Sequence, residues 1–527
     1  MPIHRRLARH ALLAPLVAAG AVGLMVAACD ARDVRQEPSA AATTARVLAP
    51  AAPPLAAVPF PAESPLSCAT LRDVGMSDVV RVDGTTMFYA DATAGLTSID
   101  VADAAHPRVL SVVPFVGTPI ALFVREGIAW VVFLDPDGRS GHKGFATVIR
   151  AVDVRNPAAP RIIGEEVRAG TARDAKLVGG LLYVMRSGAG EGKTRTVVEG
   201  FGVRGTSLHA LESVEIDGAP AALAASAAGL AAVTTSEDHA TVAWLDLSME
   251  RPGSVVLRQS VRLPGGVATW ERGEGRILDA DEGQRVRIVT CATRSCTPSD
   301  PATLRIVDFA AEAPARSMTS LRLTEHDGLP TTRFADGVLY VAETPAPGQE
   351  SSTLHVVRTD DRTPHFVAHH ALRGRISALV PHEGSLVALG STGSPATQVK
   401  MILHDLDVRR PAAPRTRTSV TFGSDWTWSI VADDDDAMSF DPASHLIAVP
   451  FTAWRHADKR YVTGSQLVDL RPLGEQAAAA LPVDGWVERA IFLDGHLVTL
   501  GPNGISSIDY ASTHQPDFAE RTLEIGR

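Results

Sequence analysis

One short phrase recurs along this chain and constrains its fold more than any other feature. An apolar run ends in a two-residue turn with glycine second, and a second apolar run follows. A third run then closes on aspartate, with proline six or seven residues later. The turns are Asp83-Gly84, Glu126-Gly127, Gly179-Gly180, Ala228-Gly229, Glu274-Gly275, Asp336-Gly337, Glu383-Gly384 and Asp494-Gly495, with Asp441-Pro442 filling the one gap. The closing pairs are Asp100 with Pro107, Asp153 with Pro160, Asp246 with Pro252, Asp308 with Pro314, Asp407 with Pro414, and Asp509 with Pro516. A strand-built repeat with a period of roughly 45 to 60 residues predicts radially stacked units, the pattern of a β-propeller.

Units begin near residues 78, 120, 174, 220, 266, 330, 376, 425 and 486. The first reads as four short strands, over 79–82, 87–90, 96–101 and 109–115, separated by turn residues as in an antiparallel meander. No long helical period interrupts the body. The expected fold is all-β: a single β-propeller of eight or nine four-stranded antiparallel blades over 66–527. Nine units exceed the usual range, so either the ring is large or one unit stands outside it or lends strands to a neighbour. The recurring aspartate suits a turn in which its side chain accepts backbone N–H groups, and the proline suits the start of an outer strand. Both read as scaffold rather than as catalytic acids.

The 527 residues are 45% hydrophobic but only 5% aromatic, so the strands are filled by aliphatic side chains in a globular body. Radial repeats avoid the size limit of a single core, because each unit packs only on its neighbours. The formal charge is −10 and no basic cluster follows the first ten residues, which argues against a nucleic-acid partner.

The first 28 residues read as a signal peptide. Arg5, Arg6 and Arg9 precede an apolar stretch over 11–28, which ends at Val26-Ala27-Ala28-Cys29. That tetrapeptide resembles the lipobox of bacterial lipoproteins, which implies cleavage before Cys29 and lipidation of its thiol. An ordinary cleaved signal or a membrane anchor is the alternative, although a stretch this rich in Ala and Gly makes a poor permanent span. Residues 29–65 are rich in Ala and Pro and read as a disordered, extended tether. The implied location is the bacterial cell envelope, extracytoplasmic and lipid-anchored. Asp30 resembles an inner-membrane retention signal, and the choice of membrane stays open.

In an oxidising compartment Cys291 and Cys296, which flank a tight loop, read as a local disulfide. Half of a metal site is the alternative, but a lone C-x4-C lacks its second pair of ligands. Cys68 is left over, as a buried thiol or a link to another chain.

The segments 96–101 and 152–160 resemble the LVIVD-type propeller repeats of bacterial and archaeal surface proteins. Residues 434–442, continued by Leu446-Ile447-Ala448-Val449-Pro450, resemble the hallmark of the secreted beta-propeller domain family. Where that hallmark has Asp-His-Lys-Ala-Phe, this chain has Asp434-Asp435-Asp436-Ala437-Met438. The resemblance spans roughly 66–520 and implies a secreted or anchored propeller without catalytic residues to transfer.

Four places break the repeat in chemically pointed ways. The run Asp433-Asp434-Asp435-Asp436 reads as a solvated loop or, bridged by a hard cation, as a Ca2+ site. Asp135-Pro136-Asp137-Gly138 opens like a calcium loop but has no later acid at the required spacing, so it reads as a long hairpin connection. Trp426 and Trp428, with Arg455 nearby, read as a sugar-binding platform or as packing between blades; Trp454 and Trp486 follow. His365, His369, His370 and His382 form a loose cluster that reads as surface histidines. Local nucleophile, zinc, phosphate-loop and dinucleotide motifs are missing from the sequence. No cofactor is expected beyond the Ca2+ option. The reading is a monomeric scaffold that binds an envelope protein or glycan. A hydrolase or lyase using dispersed residues at the propeller channel is the alternative.

Overall fold

A computed structural model of the chain describes residues 74–75 and 78–510 apart from short segments, of which 137–144, 248–253, 268–275 and 471–478 are the longest. All of them belong to one compact unit, Pro59–Arg527. The signal, the tether, Cys29 and Cys68 lie outside the described residues.

The described chain is a succession of antiparallel meander sheets, and two short 3-10 turns are its only helical elements. Sheets 1 to 6 cover residues 80–113, 118–169, 172–217, 219–264, 278–322 and 331–373, four strands each, with Val74–Gly75 adding a fifth to sheet 3. Sheet 7 covers 375–422 and sheet 8 covers 426–482; the two are joined by parallel pairing at Val399 and Trp426. Sheet 9 shows three strands over 489–509.

The glycine turns explain the hairpins. Glu126-Gly127, Asp336-Gly337, Glu383-Gly384, Asp494-Gly495 and Gly179-Gly180 all carry positive φ at both positions, the conformation whose twist matches that of the flanking strands. Three units depart from this pattern. In sheet 1 Asp83 pairs with Thr86, so Gly84 leads its turn. In sheet 4 Ser226 pairs with Gly229, which places that glycine in the following strand. In sheet 5 the hairpin turns between Ala280 and Arg285, whereas Glu274-Gly275 precedes the first strand and lies outside the described residues.

The aspartates behave as turn acceptors. The N–H two residues on donates to Asp100, Asp153, Asp308 and Asp407 at 2.9 to 3.2 Å. The N–H after the aspartate reaches back to the hairpin, as in Val154 to the Gly127 carbonyl and Val408 to the Gly384 carbonyl. Pro107, Pro160 and Pro414 stand directly before the outer strands Arg108–Val113, Arg161–Ala169 and Arg415–Phe422. An outer position hides the missing N–H of proline.

The core is divided rather than central. Among the described residues nine apolar clusters each join two sheets: 1 with 2, 2 with 3, and so on to 8 with 9. The ninth cluster packs Val498 and Leu500 of sheet 9 against Val80, Met87 and Ile99 of sheet 1. Polar contacts reinforce that junction. The Tyr89 hydroxyl donates to Glu488 at 2.7 Å, and Arg489 donates to Asp78 at 2.8 Å. Cys291 and Cys296 are bridged, with their sulfurs 2.08 Å apart.

Candidate functional site

The inner strand of sheet 8 is broken, and the break builds the site. Trp426–Trp428 pairs with one end of Leu446–Arg455 and Ser439–Asp441 with the other. Opposite Pro450 the pairing lapses, because proline offers no N–H there. The Ser429 hydroxyl donates to the Pro450 carbonyl at 2.5 Å and accepts the N–H of Val431 at 3.2 Å. From that cap the chain leaves the sheet in two 3-10 turns, Ile430–Ala432 and Asp435–Ala437, which carry the acid run inward.

The run is not a uniformly solvated loop. Asp435 is only 4% exposed and is clamped between Arg276 of the fifth unit and Arg333 of the sixth. Arg276 also donates to the carbonyls of Ala432 and Val431, and its own carbonyl accepts the Thr332 hydroxyl. Asp434 caps the N–H of Asp436 and pairs with Arg489 of the ninth unit at 2.5 Å. Asp433 is exposed. Of the four adjacent side chains, Asp434 and Asp435 thus diverge to different arginines. Among the described residues no group of three or more His, Cys, Asp or Glu side chains could hold a metal ion.

Asp436 faces a cavity of about 390 Å3, where the inner strands of several sheets converge. Solvent reaches this carboxyl, yet protein surrounds it. Burial pushes its pKa up to about 7, and the charges of Asp78 and Asp434 add to the shift. Arg489 experiences the opposite balance. Burial works against its charge, but Asp78 and Asp434 overcome that and hold the proton more tightly than usual. Across the cavity Asp174 pairs with Lys176 at 3.3 Å and accepts the N–H of Leu223 at 3.2 Å.

A second feature occupies the tip of the hairpin formed by Leu446–Arg455 and Arg460–Asp469. Trp426, Trp454 and Tyr461 stand opposite one another across three strands, and Trp428 lies two residues along on the same face. The Tyr461 ring meets Trp454 at 4.8 Å and Trp428 at 5.9 Å, both edge to face. Trp426, Trp428 and Tyr461 are 38%, 39% and 50% exposed. Arg455 follows Trp454 directly, so strand alternation turns it to the opposite face. The aromatic row expected from Trp426 and Trp428 is therefore completed by Trp454 and Tyr461 instead of Arg455. Asp425 and His456 tie the tip through a 2.8 Å bond from the His456 N–H.

The histidines disperse: His369 meets His355, His370 meets Thr416, His365 meets Asp361, and His382 stacks on Phe440. Asp135 is buried at a strand end, while its loop from Asp137 to Gly144 lies outside the described residues. Sequence reasoning missed Asp78, Arg173 and Arg489 as lining residues. A signal was present, since Asp78, Arg489 and Asp174, the neighbour of Arg173, each stand six positions before the second residue, a glycine, of their unit's turn pair.

No protein-family model matches the chain, and no curated protein matches it. Among solved structures it is similar to a functionally unknown protein from Desulfotomaculum acetoxidans, at 8% identity and a TM-score of 0.38, over 68% of this chain and 95% of that one. It is also similar to Sqt1 from Chaetomium thermophilum, at 13% identity and a TM-score of 0.42, over 75% and 96%. A third is the β-propeller domain of the Trilobed protease from Pyrococcus furiosus, at 10% identity and a TM-score of 0.34, over 67% and 95%.

Proposed function

We propose that this chain is a lipid-anchored, extracytoplasmic β-propeller of nine blades that binds a glycan on its aromatic hairpin tip. The nine-blade reading is supported by nine apolar clusters, the last of which joins sheet 9 to sheet 1. The anchor reading is supported by the positive start, the apolar stretch and the Val26-Ala27-Ala28-Cys29 sequence. Recognition rests on one observation: Trp426, Trp428, Trp454 and Tyr461 share one face across three strands at the end of the hairpin, and Trp426, Trp428 and Tyr461 leave their rings open to solvent.

Interlocked aromatic rings offer an extended apolar surface that loses little side-chain freedom on binding, and a pyranose presents a matching C–H face. Asp425 and His456 stand at the rim to meet its hydroxyls. The ring of sheets acts as a rigid mount, and chemistry resides in what it presents.

Screening the full chain and its Trp426→Ala and Trp428→Ala variants on a glycan array tests this reading. The wild type should bind a defined subset of glycans, and each variant should lose about tenfold in affinity for one lost stacking contact. Unchanged binding in both variants, or no glycan bound by the wild type, would overturn it.

A further inference from the structure

The cavity beneath Asp436 has a composition that the glycan reading does not use. Its walls are apolar, with Ile120, Leu223, Ile277 and Ile430 from four units. Its charged lining comes from four units and is unequal. Five carboxyls, on Asp78, Asp174, Asp434, Asp436 and Glu488, face three cations, on Arg173, Lys176 and Arg489. Arg489 is shared between Asp78 and Asp434, Lys176 sits on Asp174, and Glu488 accepts the Tyr89 hydroxyl. Arg81 adds a further contact to Asp78 at 3.4 Å. The arginines behind the floor, Arg276 and Arg333, are engaged by Asp435.

Among the described residues Asp436 therefore has no ion pair of its own, although solvent reaches it inside the cavity. A pocket of about 390 Å3 is of the size that encloses a small molecule. An anion would meet a surplus of carboxylates there, and a neutral apolar compound would leave them uncompensated in a low-dielectric setting. A divalent metal would need convergent oxygen ligands, which the diverging acid run does not supply. A compact organic cation satisfies both wall and floor.

We propose that this cavity binds a small aliphatic diamine, with one ammonium on Asp436, the chain along Ile120, Leu223 and Ile277, and the second charge matching the remaining carboxylate surplus. Binding is coupled to protonation. An ammonium favours the ionised form of Asp436, so complex formation near neutral pH releases a proton, and affinity falls as pH drops below 7.

Calorimetric titration of the full chain with 1,4-diaminobutane is the test, with butan-1-ol and Ca2+ as comparison probes. One-to-one binding is expected at pH 8.5, where the amines still carry their protons, with affinity at least about tenfold weaker at pH 5.5. Asp436→Asn should lose about tenfold at pH 8.5 and flatten the pH dependence. Ala222→Phe, which adds a ring to the cavity lining while every charged residue is kept, should abolish binding, and its thermal melt reports whether it folds. Trp426→Ala should bind the diamine as the wild type does, which separates this proposal from the glycan reading. The absence of heat with millimolar diamine at pH 8.5 would overturn the proposal. So would wild-type affinity in Asp436→Asn, or equal binding of butan-1-ol or Ca2+.

Discussion

Sheet 2 and sheet 8 begin from the same four-strand plan and end with opposite electrostatics. In sheet 2 the inner strand Thr118–Arg125, bulged once after Pro119, stays in the sheet up to the Glu126-Gly127 turn, and the sheet's ion pairs lie outward. Asp153 and Arg155 close over that turn, and Arg150 reaches Glu165 while its guanidinium rests over Phe133 at 5.4 Å. In sheet 8 one proline interrupts the ladder, the inner strand leaves its place, and a carboxylate enters the middle of the molecule. The difference teaches that regularity in such a repeat seals the units together, while a local break is what delivers charge to the inner cavity.

The largest expected effect breaks the buried side of this comparison. Asp435→Ala leaves Arg276 and Arg333 without their shared carboxylate, and Arg276 is only 4% exposed. Removing one partner of a buried ion pair leaves uncompensated charge, and the expected loss is about 3 to 5 kcal/mol. The matched change in sheet 2, Asp153→Ala, removes a solvent-facing pair and should cost no more than about 1 kcal/mol. Urea unfolding of both variants measures the contrast. Equal midpoints would show that the charged hub contributes no more than the surface pair.

This contrast also marks how far the sequence could be read. The unit starts, the paired-glycine turns, the aspartate acceptors and the Cys291–Cys296 bridge were all accessible, because each depends on residues a few positions apart. The hub was not. Arg276 meets Ala432 across 156 residues and Arg333 meets Asp435 across 102, and no local pattern encodes those meetings. An acid run read alone looks solvated; folding supplied its arginines from three other units. The first hairpin of sheet 5, which turns after Ala280 and not at Glu274-Gly275, escaped the sequence for a related reason. A glycine dipeptide marks a turn without stating which strands it joins.

A smaller effect sharpens the regular side. Gly127 has φ +73°, and a Cβ there would lie 2.2 Å from Cγ of Arg155, the residue that covers the turn. Gly180 has φ +80° with nothing within 4 Å. Both alanine variants incur the left-handed backbone penalty of about 1 to 2 kcal/mol, but only Gly127→Ala must also move Arg155. Its excess loss over Gly180→Ala should disappear when Arg155→Ala is added, as read from a double-mutant cycle of melting temperatures. An excess that persists without Arg155 would sink this account of the glycine.

The smallest effect is a matter of sign, and it returns to sheet 8. The pKa of Asp436 is raised from 3.8 to about 7 in the folded chain. The folded state therefore holds this proton more tightly than the unfolded state does. The stability contributed by the neutral form is full below about pH 4 and is lost as pH rises through 7. Asp436→Asn stays neutral throughout, so its melting temperature should match the wild type near pH 4 and exceed it increasingly up to pH 8. Because solvent reaches the carboxyl, the gain should be modest and should shrink with added salt. An acid paired like Asp153, whose pKa is lowered, first by its bond to Arg155, must show the reverse trend. Parallel pH profiles for Asp436→Asn and Asp153→Asn would mean that the break in sheet 8 creates no electrostatic environment distinct from the outer turn of sheet 2.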